Sequence, residues 1–116
     1  MKAISVREPF ASQIARKEKR IENRSWGAGV RGEVALHRCG ENGAIIGVMN
    51  IADVVPATEA LQKYPDQTEF ISGPLCWVIE SFRPCIPVRR KGRLSLWECP
   101  TLLFHETAAA PSLLES

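Results

Sequence analysis

Long apolar runs are missing from this sequence of 116 residues. Its longest stretches without a charged residue are about half of the roughly twenty apolar residues that a bilayer-spanning helix needs, so no membrane helix is expected. The first residues carry Lys2, Arg7 and Glu8 and lack the apolar core of a signal peptide, which leads to the expectation of a cytoplasmic protein. Cys39, Cys76, Cys85 and Cys99 contain no C-x-x-C pair and no accompanying Cys/His cluster. They read as reduced thiols, and neither a structural metal nor a cofactor is expected. Aromatic residues are sparse at 7%, and charge is nearly balanced at a formal net +2. With 45% hydrophobic and 24% charged residues the chain has the composition of one globular domain, long enough to build a core without disulfides.

The balance of charge conceals an uneven layout. Residues 1–26 carry a net +4, residues 27–80 a net −4, residues 81–100 a net +4, and residues 101–116 a net −2. Two basic segments flank an acidic middle. If folding brings them together they form a positive face suited to phosphates; otherwise they are two separate solvated patches.

Hydrophobic periodicity predicts mostly strands. Lys2 to Val6 alternates as a half-buried strand, and Pro9 suits a helix start. Phe10, Ala11, Ile14 and Ala15 form an apolar stripe that ends near Arg16. From Arg20 to Trp26 the pattern alternates again and places Glu22 and Arg24 on one face. Glu33 to His37 is a third strand, and Ala44 to Val55 a long one bent at Gly47. Ala57 to Tyr64 is a short helix, residues 65–73 a loop, and Leu75 to Phe82 a buried strand. Pro84 and Pro87 predict an irregular lead into the basic loop Arg89-Arg90-Lys91-Gly92-Arg93, before a last strand over 94–98. The fold class expected is mostly β with short helices (α+β), a small β-barrel of five to six strands with two inserted helices. The domain should span residues 1–98, with residues 99–116 a partly flexible C-terminal extension.

Two stretches carry the chemistry: Ser5-Val6-Arg7-Glu8-Pro9-Phe10-Ala11, and Lys17-Glu18-Lys19-Arg20-Ile21-Glu22-Asn23-Arg24-Ser25-Trp26. Together they resemble the ASCH domain family, small proteins with a PUA-like β-barrel. The family's G-x-K-x-x-E-x-R signature is met by Lys19, Glu22 and Arg24, with Lys17 standing where the family has Gly. Arg31-Gly32, His37, the run Gly73-Pro74-Leu75-Cys76-Trp77-Val78-Ile79-Glu80, Pro87-Val88, Gly92 and Leu96-Trp97-Glu98 extend the resemblance over residues 1–98. It implies a small stand-alone member of bacterial type, whose cleft is lined by the first helix, the signature and nearby strand ends. RNA or a nucleotide is the ligand implied. It also implies a hydrolase as an alternative. Small bacterial members hydrolyse the acetyl amide of N(4)-acetylcytidine, using the signature Lys with a Thr at the position of Glu22 and a Glu from elsewhere. Other members are reported as ribonucleases, and others form nucleic-acid-binding parts of larger eukaryotic coactivators. Glu22 cannot act as a hydroxyl nucleophile, and Lys17 in place of Gly either adopts a left-handed backbone or ends the helix differently.

The candidate site therefore centres on Lys19, Glu22 and Arg24. Arg24 offers a planar fork for a phosphate or for Glu22, and a desolvated Lys19 can carry a proton. In a hydrolase, Glu22 would activate water, Lys19 would stabilise the oxyanion or protonate the leaving amine, and Arg24 would orient Glu22. Ser5 and Arg7 stand where the first strand meets the helix, whose N-terminus favours an anion. Trp26 and Phe10 are stacking candidates with a place in the core as the alternative for each, the core being favoured for Phe10, whereas Trp77 and Trp97 read as core. His37 matches a family position, and Arg89, Arg90 and Lys91 are electrostatic contacts to a nucleic-acid backbone. Glu59 and Glu69 are the acids open as a third catalytic group, and a protein-interaction module is the remaining alternative.

Overall fold

The computed structural model describes residues 1–105. Its strands are β1 (Lys2–Val6), β2 (Ile21–Arg24), β3 (Gly32–Arg38), β4 (Ala44–Pro56), β5 (Leu75–Arg89) and β6 (Leu96–Glu98). Two short helices interrupt them, α1 (Phe10–Ala15) and α2 (Ala57–Lys63), together with a 3₁₀ helix over Pro65–Phe70. All six strands belong to one curled sheet in the order β2-β5-β4-β3-β1-β6. β1 and β3 run parallel, and every other neighbouring pair is antiparallel.

The curl has a local cause in β4, the longest run of Ile and Val in the chain. Its register against β5 shifts between Ile45 and Gly47, between Asn50 and Ile51, and between Ile51 and Asp53. Each shift bends the strand and increases its twist. Gly47 stands at the first of them because a Cβ there would lie 2.4 Å from Cζ of Phe82 and 2.5 Å from the Arg83 carbonyl oxygen.

β1 is buried on both faces rather than one. Ile4 and Val6 meet Ala11 and Ile14 of α1 in the main core, with Leu36, Met49, Ile51 and Trp77. Ala3 faces a second cluster built from Ala35, Ile45, Cys85 and Trp97, against which Cys99, Leu102 and Phe104 pack. The segment after β6 is thus laid over the back of the sheet as far as Phe104. The Cys99 N–H donates to the Met1 carbonyl at 3.0 Å, and the Ile86 N–H to the Leu103 carbonyl at 2.8 Å. The rest of the expected flexible extension, residues 106–116, lies outside the described residues.

Two expectations are corrected. β5 runs through Pro84 and Pro87 to Arg89. Beyond Val78 it has a sheet neighbour only on the β4 side, so a missing N–H on its other side breaks no ladder, and Pro87 falls in the bulge opposite Ile45–Gly47. Residues 65–70 form a 3₁₀ helix instead of a loop. Pro65 presets its first turn, the Gln67 N–H donates to the Tyr64 carbonyl and that of Ile71 to Thr68.

Lys17 resolves its alternatives in favour of a left-handed backbone, with φ of 64°. A left-handed non-glycine residue costs about 1–2 kcal/mol, partly offset in a glycine by its greater freedom when unfolded. Lys17→Gly is therefore expected to raise the stability by about 0.5–1 kcal/mol, read as a higher urea midpoint at unchanged slope. A lower midpoint would show that the Lys17 side chain contributes more than its backbone costs.

Candidate functional site

The chain reverses direction after α1 by means of that left-handed residue. The amides of Glu18 and Lys19 then both donate to the Gln13 carbonyl, at 3.0 and 3.2 Å. The buried Gln67 carboxamide clamps the same segment from outside, accepting the Arg20 N–H at 2.6 Å and donating to the Glu18 carbonyl at 3.0 Å. With the backbone held at both ends, Lys19 points inward and β2 begins.

Lys19 is 3% exposed and Glu22 is 7% exposed. The Lys19 ammonium lies 3.6 Å from Glu22 Oε1 and donates to the Ile21 carbonyl. Phe10 and Phe70 stand on either side of it, with ring centroids 5.5 and 5.7 Å from Nζ. Arg24, two residues along the same strand face, brings Nε and Nη2 to Glu22 Oε2 at 2.9 and 2.8 Å. Its Nη2 also donates to the Ser5 carbonyl on β1 at 2.8 Å. This places the cluster on the seam between β2 and β1, two strands that share no ladder.

A cleft of about 1040 Å³ opens over that seam. Of the residues expected at the site, Ser5, Arg7, Lys19, Glu22, Arg24 and Lys91 line it. The two basic segments of the sequence meet there. Phe10 also lines it and is 36% exposed, so the favoured core reading yields to the other: it lies at the end of the α1 stripe, where the core gives way to the cleft.

Other expectations are redrawn. Trp26 packs edge-on against Trp77, with centroids 5.3 Å apart, and sits against the main core away from the cleft. His37 is wholly buried, its Nε2 2.7 Å from the Arg90 carbonyl and its ring edge-on to Trp97. It meets the cleft through the loop it supports rather than by direct contact. Gly92 in that loop passes so close that a Cβ would lie 2.9 Å from Ser5 Oγ and 3.0 Å from His37 Cε1. Arg89 and Arg90 line a second concavity of about 480 Å³. The α1 N-terminus is not open to an anion, because the Glu8 carboxylate already accepts the Ser12 N–H at 2.8 Å and bonds the Ser12 hydroxyl. Of the two acids left open, Glu69 lines the cleft, whereas Glu59 pairs with Lys63 at 2.9 Å on α2.

Sequence reasoning missed Asn23, Gln67 and Phe70. The Asn23 side chain accepts the N–H groups of Ser72 and Gly73 at 3.0 and 3.1 Å and donates to the Phe70 carbonyl at 2.7 Å, which fixes one wall of the cleft. Gln67 and Phe70 fall in a stretch with no periodicity, where nothing marked them. Arg93, which also lines the cleft, was visible only as part of the basic loop.

Burial pushes the Lys19 ammonium below its ordinary pKa of 10.5, and the facing Glu22 carboxylate opposes that shift without cancelling it. The unfolded chain therefore binds this proton more tightly than the folded one. Lys19 contributes a stability that rises with pH between its lowered native value and the unfolded value of 10.5, and is level outside that window. Urea unfolding of wild type and Lys19→Met across the alkaline range should show a more positive slope of stability against pH for the wild type. Parallel slopes would mean that the amine is not desolvated.

The family model of the ASCH domain matches residues 4–91. No curated protein matches the sequence significantly. Among solved structures, an ASCH protein from Zymomonas mobilis superposes with a TM-score of 0.63 at 13% identity, covering 98% of this chain and 93% of that one. A serine-to-alanine variant of the Zymomonas protein gives 0.61 at 12% identity, covering 98% of this chain and 94% of that one. A tyrosine-to-phenylalanine variant gives 0.61 at 13%, covering 98% and 96%. Identities this low establish a common fold, and the family match over residues 4–91 adds the lineage: the chain belongs to the ASCH domain family.

Proposed function

We propose that this protein binds RNA or a nucleotide in the cleft over the Lys19–Glu22–Arg24 cluster. One observation carries the reading: a buried, fully engaged ion cluster sits beneath a cleft whose exposed rim holds cations with no acidic partner. Arg7, Lys91 and Arg93 line the cleft, and among the described residues none of them forms an ion pair. Arg93 instead lies over the Trp97 ring, 5.9 Å from its centroid. The rim suits phosphates, which exposed Lys and Arg bind with a strong salt dependence. Deeper in, the half-exposed edge of Phe10 and the Phe70 ring offer apolar surface on which a base can stack, a contact worth about 1–3 kcal/mol.

The direct check is titration with cytidine 5′-monophosphate and with a short single-stranded RNA. Lys91→Ala/Arg93→Ala should weaken both and flatten the salt dependence. Glu22→Gln, which takes from Lys19 and Arg24 the carboxylate that pairs with both, should tighten binding of the phosphate while leaving the circular dichroism of the fold in place. Binding indifferent to all three substitutions would sink the reading.

A hydrolytic role of the same cleft is a second reading, favoured by one pairing. Glu69 is an exposed carboxylate in the cleft, and Lys19 is an amine whose pKa burial has lowered. Both Glu22 oxygens face cations, so Glu69 is the carboxylate left free to activate water, and Lys19, which lines the same cleft, would turn from the Ile21 carbonyl to meet the developing negative charge. N(4)-acetylcytidine is the substrate to try, followed by ultraviolet absorbance as the acetyl amide is cleaved. On this reading turnover disappears in both Glu69→Gln and Lys19→Ala. An inert wild type, or a Glu69→Gln variant at full rate, removes it.

A further inference from the structure

The main cleft does not end at the loop that follows β5. Gly40 and Lys91 line both it and the second concavity, whose other walls are Glu41, Gly43, Arg89 and Arg90. The ground between the two is stiff. The Gly43 N–H donates to the Gly40 carbonyl at 3.0 Å, the Arg90 N–H to the Gly43 carbonyl at 3.2 Å, and His37 holds the Arg90 carbonyl from below.

Unpaired charge is concentrated on this strip. Outside it Lys2 pairs with Glu98, Arg16 with Glu18, Arg20 with Asp66, Arg31 with Asp53 and Lys63 with Glu59, whereas Lys17, Arg38 and Arg83 stand scattered without an ion pair among the described residues, Arg83 over the Phe104 ring. Arg7, Arg93, Lys91, Arg90 and Arg89, which line the two concavities, form no ion pair among the described residues. Against them the lining sets the carboxylates Glu22, already paired with Arg24 and Lys19, Glu69 and Glu41. A row of like charges left unpaired repels itself, and a polyanion laid along it relieves that repulsion.

We infer that the two concavities form one track for a single strand of RNA, so that the ligand class is an oligonucleotide and not a free nucleoside or mononucleotide. One nucleotide occupies the main cleft and the neighbouring phosphates pass Lys91 to reach Arg90 and Arg89. This inference rests on the main cleft being a nucleotide site, and adds a direction and a minimum length to it.

Cytidine 5′-monophosphate and single-stranded RNAs of increasing length, titrated into wild type and Arg89→Ala/Arg90→Ala, test it. Both arginines are exposed and form no ion pair among the described residues, so the double variant should fold normally. Wild type should bind the longer strands more tightly. With a slope of about 0.7 per phosphate contact, two added contacts should give about a sevenfold greater loss of affinity between ~50 and ~200 mM salt. The double variant should lose that gain and still bind the mononucleotide as wild type does. Equal affinity at every length, or a gain that survives in the double variant, overturns the track.

The two readings fail separately. Mononucleotide binding that responds to Glu22→Gln but gains nothing from length leaves the cleft and removes the track. Length-dependent binding that ignores Glu22→Gln leaves the track and removes the cluster as a binding determinant. RNA that binds at no length overturns both.

Discussion

The rest of the site depends on the placement of one ammonium group. Taking a lysine charge out of water costs several kcal/mol even after relaxation. Here the cost is offset in part by the Ile21 carbonyl, by Glu22 and by two aromatic rings. Glu22, nearly as buried, in turn needs Arg24, and Arg24 reaches across to the Ser5 carbonyl of β1. The chain of partners runs from the end of α1 through β2 to β1, and joins two strands that the sheet leaves unpaired. Removing one member of such a buried set leaves the others uncompensated, typically at about 3–5 kcal/mol. The cluster is therefore a structural tie as well as the floor of the cleft, and its charged state and the seam's geometry are coupled.

That coupling explains the uneven layout of charge along the chain. The acidic middle segment supplies surface partners: Asp53 to Arg31, Asp66 to Arg20 and Glu59 to Lys63. The basic first segment and the basic segment after Phe82 converge on the seam, where Arg7, Lys19 and Arg24 come from one and Lys91 and Arg93 from the other. The condition left open by the sequence, whether the two segments meet, is decided by the parallel pairing of β1 with β3 and the long β4–β5 hairpin. These bring the end of β5 to the same edge of the sheet as the end of β1, and the loop after β5 crosses to Ser5, whose hydroxyl accepts the Arg93 N–H.

How much was legible follows from which forces act locally. Alternation within single strands is local, and it located β1, β2 and β3 and the common face of Glu22 and Arg24, while continuous apolar runs located β4 and the first half of β5. The register shift at Gly47 was legible because a glycine inside an Ile/Val run marks a bulge or a close approach of another backbone. The prolines of β5 misled because their acceptability depends on having one sheet neighbour instead of two, a property of topology and not of the residue. His37, Trp26 and Phe10 stayed open between core and cleft for the same reason. A strand-end histidine, a tryptophan beside glycines and a phenylalanine on a helix stripe read alike whether they face a core or a cleft, and only the packing of Trp77, Trp97 and the Gly92 loop around them decides. Gln67 and Asn23 act through backbone groups more than forty residues away, which no spacing rule detects.

The identity of residue 22 also divides the labour inside the cleft. A neutral hydroxyl at that position would leave Lys19 and Arg24 as two uncompensated cations, an arrangement suited to a phosphate. The carboxylate cancels one of the two charges and occupies the donors of both side chains, so the buried cluster is close to saturated and presents little free charge to a ligand. Attraction for an anion thereby falls to the exposed rim, where Arg7, Lys91 and Arg93 form no ion pair among the described residues and, on the proposed reading, exchange counterions for phosphate at small cost. The depth of the cleft is left with aromatic edges and oriented polar groups, which on the proposed reading suit a flat heterocycle better than a charged group.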